Sequence, residues 1–182
     1  MKDSVINIYQ IFTRLFANAN ETNKEFGSIR ENGCSKFSNV TSLALSEIKK
    51  MGVTHVWYTG VIRHASCTSY AKNGLSADNP QVVKGQAGSP YAIKDYYDVD
   101  PDLATNVKSR MKEFEAMLDR THKAGLKAII DFVPNHVSRE YHSDNLPSGC
   151  IDLGSHDQTD MAFSPNNNFY YVPGEELHLP EN

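Results

Sequence analysis

The chain has 182 residues, 40% of them hydrophobic and 22% charged, with a formal net charge of −4, which is ordinary globular material with enough apolar content for one core. Its lysines and arginines are scattered rather than gathered into a basic stripe, which argues against a nucleic-acid partner. No apolar run approaches the roughly 20 residues that a membrane helix needs. The opening MKDSVINIYQIF puts charge where an export signal carries its apolar centre, so no signal is visible and the compartment stays open. Three cysteines, Cys34, Cys67 and Cys150, are too few for a disulfide framework and show no CxxC spacing for zinc.

Val5, Ile6, Ile8, Tyr9, Ile11 and Phe12 form the first apolar run, read as strand one of a parallel sheet. A polar loop rich in Asn, Ser and Gly follows over 18–39. Ala44, Leu45, Ile48 and Met51 recur at helical spacing, with Gly52 as the stop. Val53, His55, Val56, Trp57 and Tyr58 make strand two, rich in β-branched and aromatic residues. Residues 60–100 are long for a βα connection, usually about 2–6 residues, and so are read as functional loop. Within it, GQAGSPYAIKDYYDVDP leads glycines and a proline into Tyr91, Asp95, Tyr96 and Tyr97. Val107, Met111, Phe114 and Leu118 then step by four, three and four, an amphipathic helix capped by Thr105 or Asn106 and stopped at Gly125.

The stretch LKAIIDFVPNHVS, residues 126–138, is a near-continuous apolar run, the mark of a parallel strand buried on both faces. It stops at Pro134, which has no N–H to give a ladder. Asn135 and His136 follow directly, where α/β folds place ligand chemistry beyond the carboxyl end of a strand. The order β, α, β, α, β implies right-handed crossovers in a parallel α/β sheet. From Pro134 onward Pro, Asn, Gly, Ser and Asp dominate, interrupted by Met161, Phe163 and the cluster Phe169, Tyr170, Tyr171, with no helical period.

IIDFVPNH, with Asp131, Asn135 and His136, resembles the first short motif of the α-amylase family, glycoside hydrolase family 13. VINIYQIFTRLF from Val5, GVTHVWYTGVI from Gly52, SPYAIKDYYDVDPDLAT from Ser89 and NNNFYYVPGE from Asn166 match further members of the set in order, closest to bacterial enzymes acting on starch-like glucans. The resemblance implies a (β/α)8 barrel, of which residues 1–136 supply the amino-terminal β/α part. It makes residues 137–182 the start of a lobe inserted after strand three. A complete barrel takes about 250 residues or more, so three strands imply a fragment. Its open sheet edges imply self-association.

On the same resemblance, Tyr91 stacks against a glucose ring in the subsite where the bond is cut, and His136 hydrogen-bonds a hydroxyl of that sugar. Asp95 matches a family position that orders the Tyr91 loop, while Asp131, from its place within the strand, is read as a buried acid accepting hydrogen bonds that hold the site together. Asn135 resembles a ligand of a structural calcium between barrel and lobe, with Asp144, Asp152, Asp157 and Asp160 as further oxygens; calcium takes six to eight such ligands, and its binding stays open. Relatives carry His or Asp two or three places before the tyrosine, where this chain has Ser89 and Gly88, with Pro90 between, which leaves cleavage within chains or at chain ends open. The family's nucleophilic Asp, acid/base Glu and stabilising Asp follow strands four, five and seven, so no catalytic residue is assigned here.

The expected activity is therefore retaining hydrolysis of α-1,4-glucans by the whole enzyme, with the 182-residue chain inactive alone. Three alternatives remain: a glucan or sucrose transferase with the same amino-terminal motifs, a non-catalytic carbohydrate-binding or scaffold protein, and a metal-dependent hydrolase built on Asp131, His136 and His142.

Overall fold

The computed structural model describes residues 5–175; the first four residues of the amino-terminal part and the last seven of the inserted segment lie outside it. Strand β1 (Ile8–Phe12) is followed by a single-turn helix α1 (Ile29–Asn32), then by helix α2 (Ser42–Lys50) and strand β2 (His55–Thr59). Strands β3 (Ile62–His64) and β4 (Ile93–Val99), helix α3 (Arg110–Lys123) and strand β5 (Lys127–Ile130) complete the regular elements. β1, β2 and β5 form one parallel sheet with β2 in the centre, Gln10 opposite Trp57 and Trp57 opposite Ile129.

Helix α2 starts where the Thr41 hydroxyl accepts the Ala44 N–H at 3.2 Å, satisfying a backbone donor that the first turn cannot. It buries Leu45 and Ile48. Gly52 ends it at φ +81°, a left-handed conformation that suits glycine. Helix α3 buries Met117 and Thr121 and lays Met111, Phe114 and Leu118 against the same core. The two helices cover the face of the sheet that carries Ile11, Val56 and Tyr58, each at most 1% exposed. The Tyr58 hydroxyl lies 2.6 Å from Thr121 Oγ1, which donates to the Met117 carbonyl at 2.9 Å, so this polar pair within the layer is closed on itself. Arg120 donates to the carbonyls of Phe37 at 2.7 Å and Val40 at 2.9 Å, fastening α3 to the loop before α2.

The structure differs from the sequence expectation in three places. β5 is paired on one side only, and Ile130 and the following Phe132 are 42% and 71% exposed rather than buried; it also ends before Asp131. The 60–100 segment is not all loop, since β3 and β4 pair antiparallel inside it. Its strand pattern was hidden because β4 buries charged side chains, Lys94, Asp95 and Asp98, each supplied with a partner. Val107 belongs to a 3-10 turn capped by Asn106, ahead of the helix proper. The Pro/Asn/Gly-rich segment after β5 has no helix or strand over 138–175, as its composition suggested.

Both outer edges of the parallel sheet are open among the described residues, and Ile8 and Phe12 of β1 are 53% and 39% exposed. An unpaired edge beside exposed apolar side chains is a template for further pairing. The purified 182-residue chain is therefore expected to self-associate in light scattering, and a monodisperse monomer would contradict this.

Candidate active site

The sheet face away from the helices carries the other half of the alternation: Gln10 and Phe12 of β1, Trp57 and Thr59 of β2. Gln10 Nε2 donates to Thr59 Oγ1 at 2.8 Å and Trp57 Nε1 to Asp131 Oδ1 at 2.6 Å. Asp131 thus closes a contact across β2 and β5, while its Oδ2 is buried without a hydrogen-bond partner among the described residues. Just beyond the carboxyl ends of β1 and β2, Gly60 meets the Pro90 and Phe12 rings; a Cβ there would lie 3.1 and 3.2 Å from them. Tyr91 follows on this packed turn, 42% exposed. It lines a cavity of about 720 Å³ with Gln10, Phe12, Thr59, Lys84 and Ser89.

The turn bearing Tyr91 is set by close packing. A Cβ on Gly88 would come within 1.8 Å of the Ala65 carbonyl oxygen, so only glycine fits, at φ +75°. His64, beneath it, directs Nε2 at the Ala87 carbonyl, 3.2 Å away, and Nδ1 at the Ile62 carbonyl, 3.1 Å away. A buried charge network continues downward. Arg14 donates to Asp102 at 2.7 Å and Asp100 at 3.2 Å, and Tyr70 donates to Asp102 at 2.8 Å. Burial alone would lower the Arg14 pKa, but Asp100 and Asp102 together raise it. Lys94 pairs with Asp78 at 2.6 Å, and Arg63 with Asp144 at 2.7 Å. Removing one partner of such a buried pair leaves a desolvated charge and costs about 3–5 kcal/mol.

His136 lies in a different cavity, about 840 Å³, with Tyr96, Tyr97, Phe132, Tyr141, Asp152 and Phe169 among its walls. The structure therefore brings Tyr91 and His136 to the same end of the sheet but into separate cavities. His136 Nδ1 is 2.9 Å from Asn135 Oδ1. Tyr96 donates through its hydroxyl to the Val133 carbonyl, and burial raises its pKa. Burial also pushes Tyr141 up to about 12. Asp152 is held below its ordinary value: burial opposes ionisation, and donors on Ser143 and Leu153 overcome it.

Asp95 is fully buried, and its oxygens accept the Tyr97 N–H at 2.7 Å and the Asn145 N–H at 2.9 Å. Its hydrogen bonds thus tie β4 to the segment after β5 and do not run to Tyr91. Gln10, Phe12 and Thr59 line the Tyr91 cavity without having been singled out in the sequence; the period-2 alternation of β1 and β2, which puts them on one face, is the signal that marks them. The Asn135 oxygen faces His136, and among the described residues no group of three or more His, Cys, Asp or Glu could hold a metal ion; a calcium shell also draws on amide and backbone carbonyl oxygens. The same finding leaves Asp131, His136 and His142 without a shared metal site.

The family profile "Alpha amylase, catalytic domain" matches residues 10–170. The chain belongs to the α-amylase family, and its three parallel strands with intervening helices are the amino-terminal β/α units of a (β/α)8 barrel. It is 26% identical over 140 residues to cyclomaltodextrin glucanotransferase of Bacillus sp. (strain 1011), covering 72% of this chain and 18% of that protein. To maltase A1 of Drosophila melanogaster it is 28% identical over 134 residues, covering 74% and 17%. The crystal structure of an α-amylase from Lactobacillus plantarum aligns with a TM-score of 0.50 at 29% identity, over 74% of this chain and 24% of that one. The chain thus spans less than a fifth of the length of these two curated relatives. No helix among the described residues is long and apolar enough to cross a membrane.

Burial holds the Asp95 carboxyl above the usual carboxylate range, and the Tyr97 and Asn145 N–H groups offset this only in part. The native chain therefore binds this proton at higher pH than the unfolded chain, so the group's contribution to stability is present below the unfolded pKa and lost as pH rises through the folded one. Asp95→Asn is expected to flatten the melting temperature's pH dependence in that window. An unchanged slope would contradict the assignment.

Proposed function

We propose that this chain is the amino-terminal part of a longer glycoside hydrolase that cleaves α-1,4-glucans, starch and maltooligosaccharides, with retention. The observation that carries the reading is the Tyr91 ring, set by Gly60, Pro90 and Gly88 into a cavity at the carboxyl ends of β1 and β2. A glucose ring has an apolar, weakly positive C–H face, and an aromatic face is its natural partner. Gln10 and Thr59 add hydrogen-bonding groups for hydroxyls beside it. In this reading His136 hydrogen-bonds the same sugar once the cleft is complete, Asp131 positions the site through Trp57, and Asp95 fixes the loops around it. Asn135, beside His136, would offer its side-chain oxygen to a structural calcium.

Retention requires two carboxyl groups about 5–5.5 Å apart, one a nucleophile and one an acid/base. None of the carboxylates in these residues is given either role, so the chemistry is supplied by later strands and the 182-residue chain alone turns over no starch. What these residues contribute is binding and orientation of one glucosyl unit. Group transfer is the second reading, favoured by the glucanotransferase name of a relative; free sugars against lengthened oligosaccharides in the products separate the two.

In the full-length enzyme, Tyr91→Ala is expected to lower kcat/KM on maltooligosaccharides by about 10- to 100-fold, the loss of one stacking contact and the orientation it provides. Activity within about twofold of the unsubstituted enzyme, or starch turnover by the 182-residue chain alone, would overturn the proposal.

A further inference from the structure

His64 of β3 lies under the turn that carries Tyr91, buried at 3% exposure, and its hydrogen-bonding partners among the described residues are all acceptors. Nδ1 is 3.1 Å from the Ile62 carbonyl oxygen; Nε2 is 3.2 Å from the Ala87 carbonyl oxygen and 3.7 Å from Asp100 Oδ2. A neutral imidazole has one N–H and one lone pair, so in that form one nitrogen would set its lone pair against a carbonyl oxygen inside a buried site. Two ring nitrogens that both face acceptors are satisfied together only when both carry hydrogen, which makes the ring a cation.

The surroundings suit that charge. Asp100, buried beside Nε2, also accepts from Arg14 at 3.2 Å and from the Asp102 N–H at 3.0 Å. Asp102 in turn accepts from Arg14 at 2.7 Å and from the Tyr70 hydroxyl at 2.8 Å. The charged and titratable groups of this cluster are thus Arg14 from the turn after β1, Asp100 and Asp102 from the turn after β4, Tyr70 from the 60–100 segment, and Cys34 and Lys36, which reach the Asp102 carbonyl from the loop before α2. Burial pushes the Asp100 carboxyl above its ordinary value, and His64 is the strongest of the groups that oppose this rise.

The Ala87 carbonyl is the last acceptor before Gly88. Gly88 donates its N–H to the Lys84 carbonyl at 3.1 Å, and a Cβ on it would come within 3.5 Å of the His64 ring as well as striking the Ala65 carbonyl. The Ala65 N–H donates to the Ala92 carbonyl at 2.9 Å. The strand that carries His64 therefore holds the turn on both sides of Tyr91, through Ala87 before it and Ala92 after it. The Ala92 tie is backbone and permanent. The Ala87 tie is a side-chain bridge from the Ile62 carbonyl through the ring, and loss of either ring hydrogen sets a lone pair against a carbonyl and opens one end of it.

We propose that His64 is a positioning residue: its doubly protonated ring bridges β3 to the Tyr91 turn, and the turn holds Tyr91 in its binding orientation only while both ring hydrogens are present. The inference rests on the functional reading above and adds a control to it. The sign follows from which form binds. The protonated ring keeps the turn in place, so KM is low on the acid side and rises as pH climbs through the titration of His64. The chemical step belongs to groups on later strands, so kcat does not follow this rise.

The test follows the ring and the substrate side by side in the full-length enzyme. In nitrogen NMR of enzyme labelled at histidine, the His64 signals, identified by through-space contact with Gly88, give the pH interval in which the ring loses a hydrogen. KM for maltotriose is expected to rise about tenfold across that same interval, with no matching step in kcat. In His64→Gln, whose neutral amide offers an N–H at any pH, the KM step is expected to vanish. Asp100→Asn removes the carboxylate beside Nε2 and is expected to move the ring titration and the KM step to lower pH together. A KM that stays flat while the ring titrates, or a step that persists in His64→Gln, would overturn the role of His64 while leaving the Tyr91 reading intact. Failure of the unsubstituted enzyme to act on maltotriose would overturn the functional reading, and the link from His64 to substrate with it.

Discussion

Parallel strands cannot be joined by a tight turn, so β1, β2 and β5 each reach their neighbour only through a long crossover. Pairing of β2 on both sides is what fixes those crossovers in space. It aligns the three carboxyl ends along one edge, puts Ile11, Val56 and Tyr58 under α2 and α3, and leaves Gln10, Trp57 and Thr59 on the opposite face. Every residue assigned a part in binding hangs from that edge or that face.

The long β2–α3 connection needs a second constraint, because apolar burial alone does not hold a segment so rich in polar residues. Buried ion pairs supply it: Arg14 with Asp100 and Asp102, Lys94 with Asp78, Arg63 with Asp144, and Arg110 with Asp98. Burying charge is costly, and a paired buried charge is worth little net stability, but each pair is specific in geometry. Here they tie β3 and β4 and their flanking turns to the turn after β1, to the segment after β5 and to α3.

The parallel sheet and both main helices were legible in the sequence because their signals are local: the apolar run around Val56, the spacing of Leu45 and Ile48, the stops at Gly52 and Gly125. Tyr91 and the Asp131–His136 motif were named by resemblance, and the structure sets Tyr91 and His136 at one end of the sheet in separate cavities. β4 was not legible, because Lys94, Asp95 and Asp98 interrupt its apolar pattern and are buried only through partners distant in sequence, Asp78, Asn145 and Arg110. The exposure of Ile130 and Phe132 follows from pairing of β5 on one side, which no local pattern encodes.

A crystal structure of the full-length polypeptide with a bound maltooligosaccharide tests the central claim most directly. The account predicts a glucosyl ring stacked on Tyr91 at the carboxyl ends of β1 and β2, with Gln10 and Thr59 beside it. A sugar bound elsewhere, with the Tyr91 ring packed against protein, would contradict it.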